Sequence, residues 1–416
     1  VHWSLLQRVE ASPLRSRHVS RRLTFLFALA GGAAVGNLYW AQPLLDVIAA
    51  DLRTGTAAAG WLVTATQLGY AVGVLLFVPL GDVLDRSRLV PIAVLASAVA
   101  LAASALAPTF AVLVVTLAAV GLTTVSGQIL APLAGDLADD ASRGRVVGTV
   151  VSGILSGILV SRTLSGLVAG VAGWRSVYVV AAVLAVVVAV LLARAIPSLE
   201  PRTTLRYPAL IASVFTIVRR ERVVRWSLAL GCTSFAVFTL FWTALTFLLS
   251  APPFSYSATT IGLFGLIGLA GAVAAQRAGR LQDRGLALPA IGIAWVLVMA
   301  AFVVAGLGAE SVVAVVVAIL VLDIAIQGHN TMLQSRMFQV DPAARSRINT
   351  AFVSTNFVGG ALGSGLASFL WTHGGWPAIA LAGAVLSGFA LTVWAVGQRD
   401  ALRLPAEREA ARGSIG

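Results

Sequence analysis

Along most of this chain the hydrophobic positions neither alternate with polar ones nor form a one-sided stripe. They run together and then stop at short charged or proline-containing stretches. About 20 consecutive apolar residues are needed to cross the hydrocarbon core of a bilayer as a helix. Runs of that kind lie near 24–48, 58–80, 89–107, 110–136, 146–169, 176–195, 226–250, 260–278, 287–307, 312–335, 348–371 and 377–397. Strands of a membrane barrel would be shorter and would alternate apolar with polar residues; these runs do neither. The pattern predicts an all-α polytopic membrane protein with twelve transmembrane helices.

The first run follows a basic stretch (Arg8, Arg15, Arg17, Arg21, Arg22), as the core of a secretory leader would. A leader's apolar core, however, is only about 7–15 residues long. This run is longer and carries Asn37, Tyr39, Gln42 and Asp46 in its second half, so a retained first helix is expected. The longest hydrophilic segment, 196–225, contains Pro197, Pro201 and Pro208 with a series of Arg from Arg194 to Arg225. It divides the runs six and six. The expected organisation is a tail over 1–23, an N-terminal six-helix bundle over 24–195, a linker over 196–225, a C-terminal six-helix bundle over 226–398 and a second tail over 399–416. Residues 209–222 of the linker have the character of a short interfacial helix.

The halves repeat one another. Asp139-Asp140-Ala141-Ser142-Arg143-Gly144-Arg145 aligns without a gap on Asp341-Pro342-Ala343-Ala344-Arg345-Ser346-Arg347, and the same offset carries Gly157 onto Gly359 and Gly173-Trp174 onto Gly375-Trp376. Gly81-x-x-x-Asp85-Arg86 after the second run has its counterpart in Gly279-x-x-x-Asp283-Arg284 after the eighth. A repeat of this size dictates architecture, and two six-span halves related along the membrane normal are a transporter plan.

Composition narrows the class further. Of 416 residues 58% are hydrophobic and 11% charged, against about a quarter charged in soluble domains, so a water-facing surface and a disordered chain are both excluded. A single cysteine, Cys232, rules out a disulfide framework and a thiolate zinc cluster. The formal charge of +12 would fit a nucleic-acid partner only if it were gathered on one face. Here every basic residue is Arg, in short clusters between the apolar runs. With twelve spans, all but Arg53, Arg162 and Arg175 fall on the side shared by both tails. Positive-inside asymmetry then predicts cytoplasmic termini in the plasma (inner) membrane and no nucleic-acid partner.

Taken together, these residues resemble the major facilitator superfamily over the whole chain. Gly81, Asp85 and Arg86 are similar to its Gly-x-x-x-Asp-Arg-x-Gly-Arg-Arg loop, although Arg88, Leu89 and Val90 replace the later Gly-Arg-Arg. Asn37-Leu38-Tyr39-Trp40-Ala41-Gln42-Pro43-Leu44-Leu45, Arg143-Gly144-Arg145 through Arg162, and Asp341 to Arg347 resemble bacterial sugar or drug efflux permeases. The superfamily's antiporter motif has Gly-Pro in span five; here Gly157 is followed by Ile158. The resemblance implies alternating access, a small-molecule substrate, a monomer, and a cavity surrounded by spans one, four, seven and ten.

Ionisable groups within a span cost about 3 kcal/mol or more at its centre, which singles out Arg162 in span five and Asp323 in span ten. Arg162 reads either as a substrate or coupling-site cation or as half of a structural ion pair. Gln327 and Asn330 follow Asp323 at helical spacing on one face. A lone carboxyl in a bilayer can carry a proton, which makes Asp323 a candidate coupling group, the alternative being a neutral acid bonded to a neighbouring helix. His329 is secondary. Asp46 is a third candidate charge, near the outer end of span one. Asn37, Tyr39 and Gln42 read as cavity lining beside Pro43, which would open the helix and free a carbonyl. Thr124 and Gln128 in span four, Phe238 and Trp242 in span seven and Asn356 in span eleven complete the expected cavity. The loop residues Gly81, Asp85, Arg86, Asp136, Gly279, Asp283 and Arg284 read as a conformational latch. Gly153-x-x-x-Gly157 and Gly359-x-x-x-Gly363 read as close helix contacts.

The sequence contains no phosphate loop, no His-Glu-x-x-His and no Gly-x-Ser-x-Gly, and its four His residues have no metal-ligand spacing. Neither a cofactor nor a metal is therefore expected, and energy must come from an ion or substrate gradient. The reading is a secondary transporter, not an enzyme: proton-coupled export of a small organic compound, drug or sugar-like. Uptake by the same fold is the alternative. A membrane-embedded enzyme would place acidic or His clusters at one interface, and a sensor would carry a soluble domain.

Overall fold

The computed structural model describes residues 20–139, 141–200, 203, 205–268, 271, 281, 284–341 and 344–404, and the regular structure in them is helical. The first half contains α1 (Arg21–Gly36), α2 (Leu45–Asp51), α3 (Thr56–Phe77), α4 (Leu80–Val83), α5 (Arg86–Ala105), α6 (Phe110–Thr123), α7 (Ser126–Leu137), α8 (Arg143–Ala172) and α9 (Trp174–Ala195). Then follow α10 (Tyr207–Arg220), α11 (Arg222–Ser250), α12 (Ala258–Phe264), α13 (Ala287–Leu307), α14 (Val312–Val340) and α15 (Arg345–Gly397). Among the described residues, nine helical stretches are long and apolar enough to cross a membrane. Val171, Leu307 and Leu106 leave most of their surface uncovered, as lipid-facing side chains do.

Several of the predicted runs are not continuous α-helices. The run over 24–48 stops at Gly36, passes through a turn and a 3₁₀ segment, Gln42–Leu44, and resumes at Leu45. Pro43 has no amide hydrogen, so the helix cannot carry its ladder through that point. Backbone groups freed inside a membrane must find partners, and two hydroxyls from other helices supply them. Ser165 Oγ of α8 donates to Trp40 O (2.6 Å), and Thr246 Oγ1 of α11 donates to Gln42 O (3.0 Å). The run over 110–136 is interrupted at Thr124–Val125, where Thr124 Oγ1 donates to Ala34 O of α1 (2.9 Å). Conversely, the last two runs form one helical stretch bent at Gly375, whose φ of +59° is open to glycine and strained for other residues. Gly173 makes the corresponding turn between α8 and α9 with φ +81°.

The linker helix α10 opens with Pro208 in its first turn, buries Leu210, Val214 and Ile217, and ends on the exposed Arg219 and Arg220. That is the amphipathic pattern of a helix lying along a surface. Buried apolar residues gather into one cluster drawn from Phe27 to Ile196 together with Phe247, and a second from Val214 to Leu402. A third, smaller cluster joins Val35, Tyr39, Tyr70, Val74 and Val125 to Val353 and Phe357. α11 is buried along most of its length.

Glycines set the closest helix approaches. A Cβ at Gly157 of α8 would overlap the backbone of Gly32 in α1, and one at Gly359 or Gly363 would overlap Cys232 or Ala236 of α11. Without a hydrophobic force between helices in lipid, such backbone contacts are a main source of association. Gly144, by contrast, has open space where a Cβ would go. Gly157→Ala is therefore expected to destabilise by about 1–3 kcal/mol through overpacking. Gly144→Ala should be neutral or stabilise by up to about 1 kcal/mol. Thermal unfolding of the two variants in detergent checks the contrast.

Candidate functional site

The break in span one places Tyr39 and Gln42 against Arg162 of α8. Arg162 is 3% exposed, and its Nε donates to Gln42 Oε1 (2.9 Å). Its guanidinium carbon lies 4.0 Å from the ring centroid of Trp242, 5.0 Å from Tyr39 and 5.7 Å from Phe238. A desolvated cation over an aromatic face gains about 2 kcal/mol, so these rings take over part of what water would supply. Trp242 then presents its edge to Asp323 of α14: Nε1 donates to Asp323 Oδ1 (3.2 Å). One indole thus holds the cation on its face and the carboxyl at its edge. Two donors remain over. Arg162 Nη2 and Gln42 Nε2 are buried with no hydrogen-bond partner.

Room for this cluster comes from a glycine series that the sequence reading passed over. Gly262, Gly265, Gly268 and Gly271 recur every third residue, and the chain is 3₁₀ over Gly265–Gly268, the geometry in which positions i and i+3 eclipse. A Cβ at Gly265 would lie 3.0 Å from Arg162 Cβ, and one at Gly268 would lie 2.8 Å from Asp323 Oδ2. Thr163 Oγ1 donates to Gly262 O (3.1 Å) and Thr259 Oγ1 to Gly166 O (3.0 Å), fixing this segment to α8.

Beside the cluster is a cavity of about 160 Å³. Tyr39, Tyr70, Phe235, Phe238 and Phe357 give it an aromatic wall, and Gln128, Gln327 and Asn330 its polar groups. Gln128 Nε2 donates to Tyr70 Oη (3.1 Å) and Gln128 Oε1 accepts from Asn349 Nδ2 (3.4 Å). Asn330 Oδ1 accepts from Ser234 Oγ (3.3 Å).

Tyr39, Gln42, Arg162, Phe238, Trp242, Asp323, Gln327, Asn330 and Gln128 are thus at the cluster or on the cavity. The other expected lining residues are elsewhere. Asn37 donates to Thr124 Oγ1 (3.1 Å) and accepts from Trp40 Nε1 (2.9 Å), so the Asn37–Thr124 pair ties α1 to the α6–α7 break. The Asn356 amide faces Phe352 O and Gly231 O, each 3.2 Å away, an arrangement satisfied when its nitrogen is the atom turned toward them, and it joins α15 to α11. Asp46 is part-exposed in α2 and accepts from Thr56 Oγ1 (3.2 Å), outside the cluster. Tyr70, Phe235 and Phe357, not anticipated, reach the cavity; a lone aromatic in an apolar run gives no signal of the direction it faces.

At the loop ends, Arg86 Nη1 pairs with Asp136 Oδ2 (2.6 Å) between α5 and α7, beside the buried Gly81. Asp85 caps α5 through Ser87 N (2.9 Å) and accepts from Leu199 N (3.2 Å) and Ser198 Oγ (3.1 Å) of the linker. These donors, Ser87 foremost, hold its carboxyl down at about 2, so it is ionised at neutral pH. The contact from this loop to α15 runs instead through Asp82, whose Oδ2 accepts from Ser346 Oγ (3.4 Å). Arg284 is exposed, and Gly279 and Asp283 lie outside the described residues.

The family model described as Major Facilitator Superfamily matches residues 23–340. The uncharacterized transporter YgaY of Escherichia coli O157:H7 is 41% identical over 379 residues, 91% of this chain and 96% of that protein. The transporter SCO4007 of Streptomyces coelicolor is 35% identical over 366 residues, 87% of this chain and 84% of that protein. Among solved structures, a bacterial homologue of the human lysosomal transporter Spinster superposes with a TM-score of 0.71 at 14% identity, covering 91% of this chain and 96% of that one. The nucleoside transporter NupG does so with 0.72 at 15% identity, covering 90% and 99%. At such identities the structural likeness speaks for the fold.

The indole bridge makes a measurable coupling. Trp242→Phe keeps a ring face for Arg162 and removes the donor to Asp323, so it should cost about 1–3 kcal/mol of stability. Combined with Asp323→Leu, which removes the acceptor, the loss should fall short of the sum of the single changes by about 1 kcal/mol. Thermal unfolding of the four proteins closes the cycle.

Proposed function

This chain belongs to the major facilitator superfamily, a transporter family of the membrane, and we propose that it is a proton-coupled exporter of a small organic compound. In this reading twelve spans form two six-helix halves, with linker and termini cytoplasmic in the plasma membrane, and a monomer works by rocking the halves about the cavity. The observation that carries it is Asp323, an acid 3% exposed whose side chain accepts a hydrogen bond from Trp242, one helical turn from the cavity residue Gln327 and two from Asn330. An intramembrane acid held by a neutral donor beside a buried cation is equipped to gain and lose a proton as access changes.

Other observations support the same reading. The Arg asymmetry favours cytoplasmic termini. Asp82–Ser346 joins the two halves, a loop contact of the kind that holds one access state and parts in another, while Arg86–Asp136 fixes the loop within its own half. The glycine contacts between α12 and α8, and between α15 and α11, give smooth faces on which helices slide. Export is the direction favoured by the resemblance of the span-one and loop sequences.

Flux in proteoliposomes under an imposed pH gradient tests the reading. Compounds for the assay come from a metabolite and growth-inhibition screen of deletion against overexpressing strains. Wild-type flux should follow the gradient, and Asp323→Asn should lose at least about tenfold of the gradient-driven component, the scale of one 1.4 kcal/mol interaction. Flux indifferent to the gradient and unchanged in Asp323→Asn would sink proton coupling through this residue.

A further inference from the structure

The cluster beside the cavity contains more donors than acceptors. Arg162 brings a guanidinium with its Nη2 unpartnered, and Gln42 brings an amide with its Nε2 unpartnered; both side chains are at least nine-tenths buried. The two lie close together, because Gln42 Oε1 already accepts from Arg162 Nε (2.9 Å) and Nε2 is the other atom of that amide. A buried donor without an acceptor costs about 1–3 kcal/mol. Two of them on one cation–amide pair are a cost that the fold carries without return unless an acceptor arrives.

Asp323 is not that acceptor. Its Oδ1 takes Trp242 Nε1 (3.2 Å) and its Oδ2 lies against Gly268, with the indole between it and the guanidinium. Tyr39 and Phe238 flank the guanidinium on one side and line the cavity on the other. Ile158, one helical turn before Arg162, is also on the cavity wall. The pair therefore stands one aromatic layer from the space where cargo would rest, and it is built from the 3₁₀ segment after α1 and from α8 of one half, facing α11 and α14 of the other. Relative movement of the halves would part Tyr39 from Phe238, since they belong to different halves.

We propose that the cargo is an organic anion, a small aromatic or apolar body bearing one carboxylate or comparable group, which docks on Arg162 Nη2 and Gln42 Nε2. A guanidinium presents parallel N–H groups that suit such an acceptor. The five rings of the cavity wall receive the body. The proposal rests on the transporter reading above and names the substrate class of that same site.

The test uses purified full-length protein with benzoate, 1-naphthoate and hexanoate, each beside its amide and its amine, read by the shift in melting temperature and by calorimetric titration. The acids should bind saturably and better than their amides and amines. Gln42→Leu, which keeps the bulk and removes the donor, should weaken acid binding about tenfold, the scale of one hydrogen bond to a charged group. Arg162→Lys should weaken it at least as much. Equal response to acids, amides and amines would overturn the proposal. So would unchanged acid affinity in both variants, each shown to be folded by its own melting transition; Gln42→Leu leaves the cation in place and guards against loss of fold in the other. Gradient-driven flux of a neutral or cationic compound, with acids neither bound nor carried, would remove the anion and leave the transporter reading standing. Absence of any gradient-driven flux would remove both.

Discussion

A guanidinium buried in the middle of a membrane protein, with no carboxylate in salt-bridge contact among the described residues, is the constraint around which the rest of this structure is arranged. Left alone, such a charge costs several kcal/mol. Here aromatic faces and one amide oxygen meet it, and each requires something of the fold. Gln42 reaches Arg162 only because span one breaks at Gly36 and Pro43. The break is stable only because Ser165 and Thr246 satisfy the carbonyls it frees. Trp242 can bridge to Asp323 only because Gly265 and Gly268 let the 3₁₀ segment pass close to both charged side chains. Removing any of these parts leaves a buried polar group exposed to hydrocarbon.

The apolar runs, their lengths and the linker helix were readable from the sequence because the bilayer imposes a length and every backbone group must bond within its own helix. Arg162, Asp323, Tyr39, Gln42 and Trp242 were readable for the same reason: a polar or large amphipathic side chain in a run is a cost that attracts notice. What could not be read was partnership. Asn37 and Thr124 look like cavity residues in one dimension, yet each is the other's partner between the end of α1 and the α6–α7 break. Asp46 carries the charge that draws the eye in span one, but it follows the break and faces Thr56, while the neutral Gln42 reaches the cation. Tyr70 and Phe357 meet on the cavity wall, ring centroids 4.3 Å apart, from segments far apart in the chain. The spacing of three between Gly265 and Gly268 matches the 3₁₀ turn found there, a signal that takes its meaning only from the turn itself.

The loop motifs show a division of labour that their shared sequence pattern conceals. Arg86 stays within its own half, pairing α5 to α7, whereas Asp85 fastens the linker and Asp82 reaches α15. One short loop thus touches the first half, the connection and the second half through three side chains. In the rocking proposed above, a change in the angle between halves would be felt at this loop through all three contacts.

The indole between Arg162 and Asp323 has an electrical consequence. With the acid ionised, the cation on the ring's face and the carboxylate at its edge sum to zero, and a membrane voltage has no net charge to act on. A proton on Asp323 turns the site positive, and an anion on Arg162 turns it negative. An inside-negative potential is worth about 2.3 kcal/mol per charge for each 100 mV, and it acts on those two states in opposite senses, drawing the protonated site inward and the anion-loaded site outward.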